Sequence, residues 1–270
     1  SNMCHESSGR GLGDTIGIGK GTVSLQDFDE AEAIFVIGQN PGTNHPRMLS
    51  ALERAKHLGS RIVSVNPIRE RGLEAFAHPQ KPTALLGRST TISDLYLQVR
   101  INGDIALLKG IMKIMAECEY NVPGSIFDHD FIDEHTIGIE AFQTALDSVT
   151  WEEILEQSGL LREEIEAAAD IYCNAKSAII CWAMGLTQHK NGVGNIQEVV
   201  NLLLLRGNIG KPGAGACPVR GHSNVQGDRT MGIVERPSEA FLDRLQKTMD
   251  FKVPREHGFD TVESIHAMAE

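Results

Sequence analysis

Cys4 and His5 stand side by side near the start of this 270-residue chain, and Arg220 sits far along it between Val219 and Gly221. A thiolate is a soft metal ligand, and an imidazole beside it can move a proton near neutral pH. Adjacent side chains reach one centre only from a loop or a helix start. The glycine-punctuated residues that follow, GRGLGDTIGIGKG, permit that. Spacing alone leaves a plainer reading open, in which Cys4 and His5 are two ordinary residues near a terminus. Arg220 carries the same choice between a fixed positive charge for an anionic substrate and an exposed ion pair.

Arg220 belongs to RGNIGKPGAGACPVRGHSNVQG, residues Arg206–Gly227, with six glycines and two prolines behind an apolar run ending in LLLL. Glycine admits positive φ and close backbone approach, and proline fixes the turns between. The stretch is therefore expected to lie outside the core as an ordered loop. It would offer backbone N–H groups with Asn208, Lys211, Arg220, Asn224 and Gln226 to a polar, phosphorylated molecule. The competing reading is a helix C-cap at Gly207 followed by a long surface loop.

The elements that must position these residues are legible in part. AIFVIG (33–38) and SAIICWAMG (177–185) are short continuous apolar runs of the kind buried in parallel sheets. RIVSVNP (61–67) and SDLYLQVRI (93–101) read as further strands. Met48, Leu49, Leu52, Ala55 and Leu58 fall on one face of a helix opened by Pro46 and stopped by Gly59, which completes a βαβ unit. A brief helix is expected around Ser8–Thr15. Asn102-Gly103-Asp104 caps another over IALLKGIMKIMAEC, and amphipathic helices fill 128–175. Residues 68–91 read as a surface excursion, too long and polar for an ordinary connection.

Both runs that end in glycine are followed by polar loops, which belong at the carboxyl edge of one sheet, where open α/β sheets bind ligands. The first loop offers Asn40, Thr43, Asn44 and His45, and the second Gln188 and His189. A lone His45 can equally cap its helix, Gln188 and His189 can be solvated, and Asn66-Pro67 can simply end a strand. No GxGxxG and no Walker lysine is present.

Composition narrows the class. With 41% hydrophobic and 23% charged residues, the chain reads as a soluble globular protein with one sizeable core. A net charge of −11 argues against nucleic acid as a partner, so any anion must be held locally. Five cysteines without a CxxC favour a reducing, cytoplasmic compartment. No apolar run has the length of a membrane span.

Taken together and in order, SNMCHESSG, GQNPGTNHP, INGDIALL, WAMGLTQHKNG and GNIGKPGAGACPVRGHSNVQG resemble the catalytic subunit of molybdopterin-dependent oxidoreductases, in the formate dehydrogenase-like alpha-subunit group. The resemblance implies that Cys4 is the ligand to molybdenum or tungsten, that His5 is the adjacent proton acceptor, and that Arg220 fixes the substrate or its anionic product. It implies further that bis(molybdopterin guanine dinucleotide) is held by loops carrying Gly38, Asn40, Pro41, His45, Asn66, Gly185, Gln188, Gly207, Asn208, Gly210, Lys211, Asn224, Gln226 and Gly227. The cofactor would do the redox chemistry on a small-molecule substrate while the protein binds and orients.

The chain departs from the family in lacking the upstream cysteine cluster of a [4Fe–4S] centre and the later domain that closes over the second pterin. It has Asn66 where the family often has an acidic residue, and 68–91 is longer than in formate dehydrogenases proper. The expected organisation is a three-layer, Rossmann-like α/β domain with a mostly parallel sheet over 1–225. Residues 226–270 then form a helical remnant of a neighbouring domain, so that the chain is a central piece of a larger subunit. The partners implied are the rest of that subunit and an electron-transfer protein. The alternative is a non-catalytic nucleotide-binding or regulatory module with the same fold.

Overall fold

A computed structural model describes residues 4–234 and 236–269. Two compact units emerge, His5–Val219 and the described residues of 1–4 with 220–270. In the first, five strands form a wholly parallel sheet in the order β5-β2-β1-β6-β7: β1 (Ala33–Ile37), β2 (Arg61–Val65), β5 (Leu95–Leu97), β6 (Ala178–Trp182) and β7 (Gly215–Pro218). A separate antiparallel pair joins β3 (Ala75–Phe76) to β4 (Thr90–Thr91). Counted within the five-stranded sheet, the order is 3-2-1-4-5, the doubly wound arrangement whose direction reverses between β1 and β6.

The apolar runs explain the layers. Along β1 the side chains alternate between faces, and both faces are covered. Ala33, Phe35 and Ile37 join a core with residues of the helices Glu6–Ile16, Asp104–Asn121, Arg162–Asn174 and Gly192–Leu204. Ile34 and Val36 join a second core with Leu49, Leu52 and Ala55 of the Pro46–His57 helix. Burying a side chain such as Phe35 contributes roughly 1.5–3 kcal/mol, so the sheet's centre anchors the fold.

Two expectations are corrected. The Arg206–Gly227 stretch is not all loop, because Gly215–Pro218 is the edge strand β7 and Ala214 and Ala216 are buried. Its outer edge is closed by Thr22, whose N–H donates to the Ala216 carbonyl at 2.9 Å and whose Oγ1 accepts from the Ala216 N–H at 3.0 Å. Such cover removes an open edge strand. Residues 68–91 are likewise more than a surface excursion. Leu73 is fully buried against the second core, and Glu53 of the Pro46–His57 helix ties the segment down through Lys81 Nζ at 2.7 Å and Thr90 Oγ1 at 3.1 Å.

The second unit holds the helices Val225–Thr230, Glu239–Met249 and Thr261–Ala269. Ser238 caps the middle one through the Phe241 N–H at 3.3 Å, and Arg255 pairs with Glu239 and with Asp243. Among the described residues no helix is long and apolar enough to cross a membrane.

Candidate cofactor-binding and active site

At the carboxyl edge, where the sheet order reverses, the loops after β1 and β6 meet backbone to backbone. Gly38 takes φ +60°, its N–H donates to the Val65 carbonyl at 2.9 Å, and its carbonyl accepts from the Gly185 N–H at 3.1 Å. A Cβ on Gly38 would stand 2.8 Å from the Gly185 Cα, so neither position has room for a side chain.

Asn40 spends its amide within the protein. Its Oδ1 accepts from the Thr43 N–H at 3.1 Å and its Nδ2 donates to Glu70 Oε2 at 2.6 Å. Pro41 opens the short Pro41–Asn44 helix and is buried, and Asn66 is buried with its N–H on the Leu97 carbonyl at 3.0 Å. Gln39 is more telling. It is 3% exposed, its Nε2 lies 3.4 Å from His45 Nδ1 and 3.2 Å from Met48 Sδ, and its buried Oε1 has no hydrogen-bond partner among the described residues. Gln188 is exposed, one residue past the Met184–Thr187 turn.

Helices Glu6–Ile16, Pro46–His57, Asp104–Asn121 and Gly192–Leu204 begin on this side of the sheet, and none has a side-chain hydrogen bond at its N-cap. The positive ends of their dipoles suit a phosphate-bearing anion, which the negatively charged chain must hold by local means; Pro46 has no N–H to give, and the Met48 and Gly192 N–H groups already donate to the His45 and His189 carbonyls.

Asp104 escaped the sequence reading of this edge. Asp104 opens its helix, is 5% exposed, and has its carboxyl pushed up to about 6 by burial, with His189 opposing the shift. His189 Nε2 donates to the Gly185 carbonyl at 2.6 Å. Asp104 was legible only as a helix opener, and nothing in its spacing announced that it is buried.

His5 is buried at the start of the Glu6–Ile16 helix, with Nδ1 2.8 Å from Ser8 Oγ and Nε2 2.9 Å from the Val219 carbonyl. Cys4 is one residue before it, and Arg220 one residue after Val219. Cys4, Arg220, Asn224, Gln226 and Gly227 fall in the second unit, where Asn224 takes φ +53° before the Val225–Thr230 helix that contains Gln226 and Gly227.

Gly207, Asn208, Gly210 and Lys211 lie at the opposite edge. The Gly192–Leu204 helix carries the chain back to the amino ends of the strands, and β7 returns it parallel to β6. Arg206 Nη1 reaches the Ile126 carbonyl at 3.0 Å and Nη2 the Ala175 carbonyl at 2.8 Å, just ahead of β6, while the Gly213 N–H donates to Asp27 Oδ1 at 3.0 Å, ahead of β1. Asn208 is fully buried and donates to Tyr172 Oη at 3.0 Å, and Lys211 Nζ donates to the Arg206 carbonyl at 3.2 Å. These four residues are therefore not brought together with the Gly38 and Gly185 loops.

The family profile described as molybdopterin oxidoreductase matches residues 4–265, and the chain belongs to that family, whose name implies a pterin cofactor carrying molybdenum or tungsten. An uncharacterized oxidoreductase of Mycobacterium tuberculosis is 50% identical over 268 residues, which are 99% of this chain and 34% of that protein. The F420-dependent formate dehydrogenase 1 subunit alpha of Methanococcus maripaludis is 36% identical over 234 residues, 87% of this chain and 31% of that one. The chain thus spans about a third of the length of the curated relatives it matches. Acetylene hydratase from Pelobacter acetylenicus has the same fold over 78% of this chain and 25% of its own, with a TM-score of 0.62 at 19% identity.

Proposed function

We propose that this chain is the cofactor-binding α/β part of a molybdenum or tungsten oxidoreductase that binds bis(molybdopterin guanine dinucleotide) and acts on a small substrate by two-electron redox, as in its formate dehydrogenase relatives. The observation that carries this reading is the convergence of four helix N-termini without side-chain caps on the sheet edge around the Gly38–Gly185 contact. Those positive helix ends suit a pyrophosphate, and the buried Gln39 amide with its unmet oxygen adds a polar group to the same edge.

When bound, the pterin and its metal supply the redox centre. The chain's own residues bind and orient. The positive helix ends hold phosphate, Gly38 and Gly185 let two backbones approach, and Asn40, Pro41, His45, Asn66 and Gln188 shape the loops around them. By the family resemblance, Cys4 supplies a thiolate to the metal and Arg220 a fixed positive charge for an anionic substrate. The α/β domain has His5–Val219 as its compact unit, and the described residues from 220 onward belong to the second unit. An upstream segment with a [4Fe–4S] centre, the remaining domains and an electron-transfer partner complete the working subunit. A reducing, cytoplasmic setting suits five cysteines without a CxxC pair.

The test is metal analysis and pterin release on the full-length protein, with formate as the first substrate tried. Molybdenum or tungsten near one per protein and released guanine nucleotide support the reading, and Cys4→Ser should then abolish turnover with pterin retained. A folded protein with neither metal nor pterin ends it and leaves the non-catalytic module.

A further inference from the structure

Four residues close a ring of hydrogen bonds at the carboxyl edge. The Trp182 indole Nε1–H points at Ser8 Oγ at 2.9 Å, Ser8 Oγ meets His5 Nδ1 at 2.8 Å, His5 Nε2 meets the Val219 carbonyl at 2.9 Å, and the Val219 N–H returns to the Trp182 carbonyl at 2.8 Å. Donor chemistry fixes the sense of three of the four bonds. A carbonyl only accepts, so His5 Nε2 carries hydrogen. The indole only donates, so Ser8 Oγ accepts there, while the hydrogen of the Ser8 Oγ–His5 Nδ1 contact can lie on either atom. Ser8 and Trp182 are fully buried, and bonds chained in this way strengthen one another in a low-dielectric interior.

The ring joins the start of the Glu6–Ile16 helix to the ends of β6 and β7. His5 and Val219 are also the residues through which the chain passes to Cys4 on one side and Arg220 on the other. We propose that Ser8 and Trp182 are positioning residues, which lock the His5 ring onto the Val219 carbonyl and so hold together the two backbone positions that carry Cys4 and Arg220. His5 in this arrangement is a latch, since both of its ring nitrogens are engaged in holding the ring shut. The inference rests on the proposed function only for what the latch positions.

The test is backbone amide exchange followed by mass spectrometry on the full-length protein as isolated, comparing wild type with Ser8→Ala, Trp182→Phe and the double variant. Exchange in the peptide containing Val219 should rise about tenfold in each single variant, with β1 peptides changed less than twofold. The double variant should match the singles within about twofold, because a ring once opened is not opened again. In protein that carries the cofactor, Ser8→Ala should lower kcat with KM within twofold and metal content unchanged. Unchanged exchange at Val219, an equal rise in every strand, or effects that multiply in the double variant would overturn the proposal. Ser8→Ala removes a single oxygen and decides alone should Trp182→Phe fail to fold. Because exchange needs no metal, the ring can stand while the redox reading falls, and the reverse.

Discussion

Gly185 donates its N–H to the carbonyl of Gly38 at 3.1 Å, and a Cβ on Gly185 would stand 2.5 Å from the Gly38 Cα. The contact pins the two loops that flank the reversal in strand order. It also supplies a structural reason for both glycines that is independent of any ligand.

Gly185→Ala should therefore cost about 2–3 kcal/mol, since backbone has to move on both sides of the contact. The expected fall in melting temperature is roughly 5–10 °C. Gly13→Ala is the control. It lies within the Glu6–Ile16 helix with nothing within 4 Å of the added carbon, so it should stabilise by about 0.5–1 kcal/mol. Thermal denaturation of both variants checks the pair.

How much of this was legible in the sequence follows from what each element needs. β1 and β6 are buried on both faces, so AIFVI and AIICW betray them as unbroken apolar runs. β7 is four residues long, begins with glycine and ends with proline, and exists only through its pairing with β6. Missing it had a consequence for the site. With β7 absent, 206–227 reads as one loop and all its polar residues share one ligand. With β7 present, 206–214 connects a helix to the strand's start at the amino edge, while the chain leaves the strand at Val219 on the carboxyl edge. The burial of Leu73 was hidden for a related reason, because one apolar residue among charged neighbours carries no periodicity.

Asp104 should make the folded state prefer acid. Burial raises its carboxyl from 3.8 to about 6, so the folded protein binds that proton more tightly than the unfolded chain. The preference is fully present below about pH 4 and is lost as pH rises through 6, where the folded state is penalised by at most about 3 kcal/mol. Asp104→Asn should accordingly stabilise by about 1–3 kcal/mol at pH 7 and by little at pH 4. Melting temperature against pH for the two proteins reads the difference directly.

Glu119 should show the opposite sign. Burial alone would raise its carboxyl, but hydrogen bonds from His129 and from the N–H groups of Phe127, Gly124 and Ile126 outweigh it and hold the group at about 2. The stability it contributes is present above its unfolded value of 4.5 and is lost as pH falls toward 2. Glu119→Gln is expected to cost about 2 kcal/mol at pH 7, from replacing a charged acceptor by a neutral one, and the gap from wild type should close on acidification. Urea denaturation at pH 7 and at pH 3 measures both ends of that curve.

Asn208 and Lys211 separate the fold's two edges by experiment. Asn208 reaches Tyr172 Oη from a fully buried position, and Tyr172 Oη in turn donates to the Leu202 carbonyl at 2.7 Å, so the asparagine holds the turn after the Gly192–Leu204 helix to the Arg162–Asn174 helix. Asn208→Ala leaves the tyrosine oxygen without that donor in the interior and should cost about 1–3 kcal/mol. Lys211 makes one bond to the Arg206 carbonyl, and burial pulls its ammonium pKa down, so Lys211→Ala should shift stability by less than about 1 kcal/mol. Neither variant should change the amount of pterin per folded protein, because both residues sit at the amino ends of the strands and the proposed ligand edge is at the carboxyl ends. Cofactor content measured against the folded fraction tests this, and a loss of pterin in Lys211→Ala without a loss of stability would return the GNIGKPG turn to the binding site.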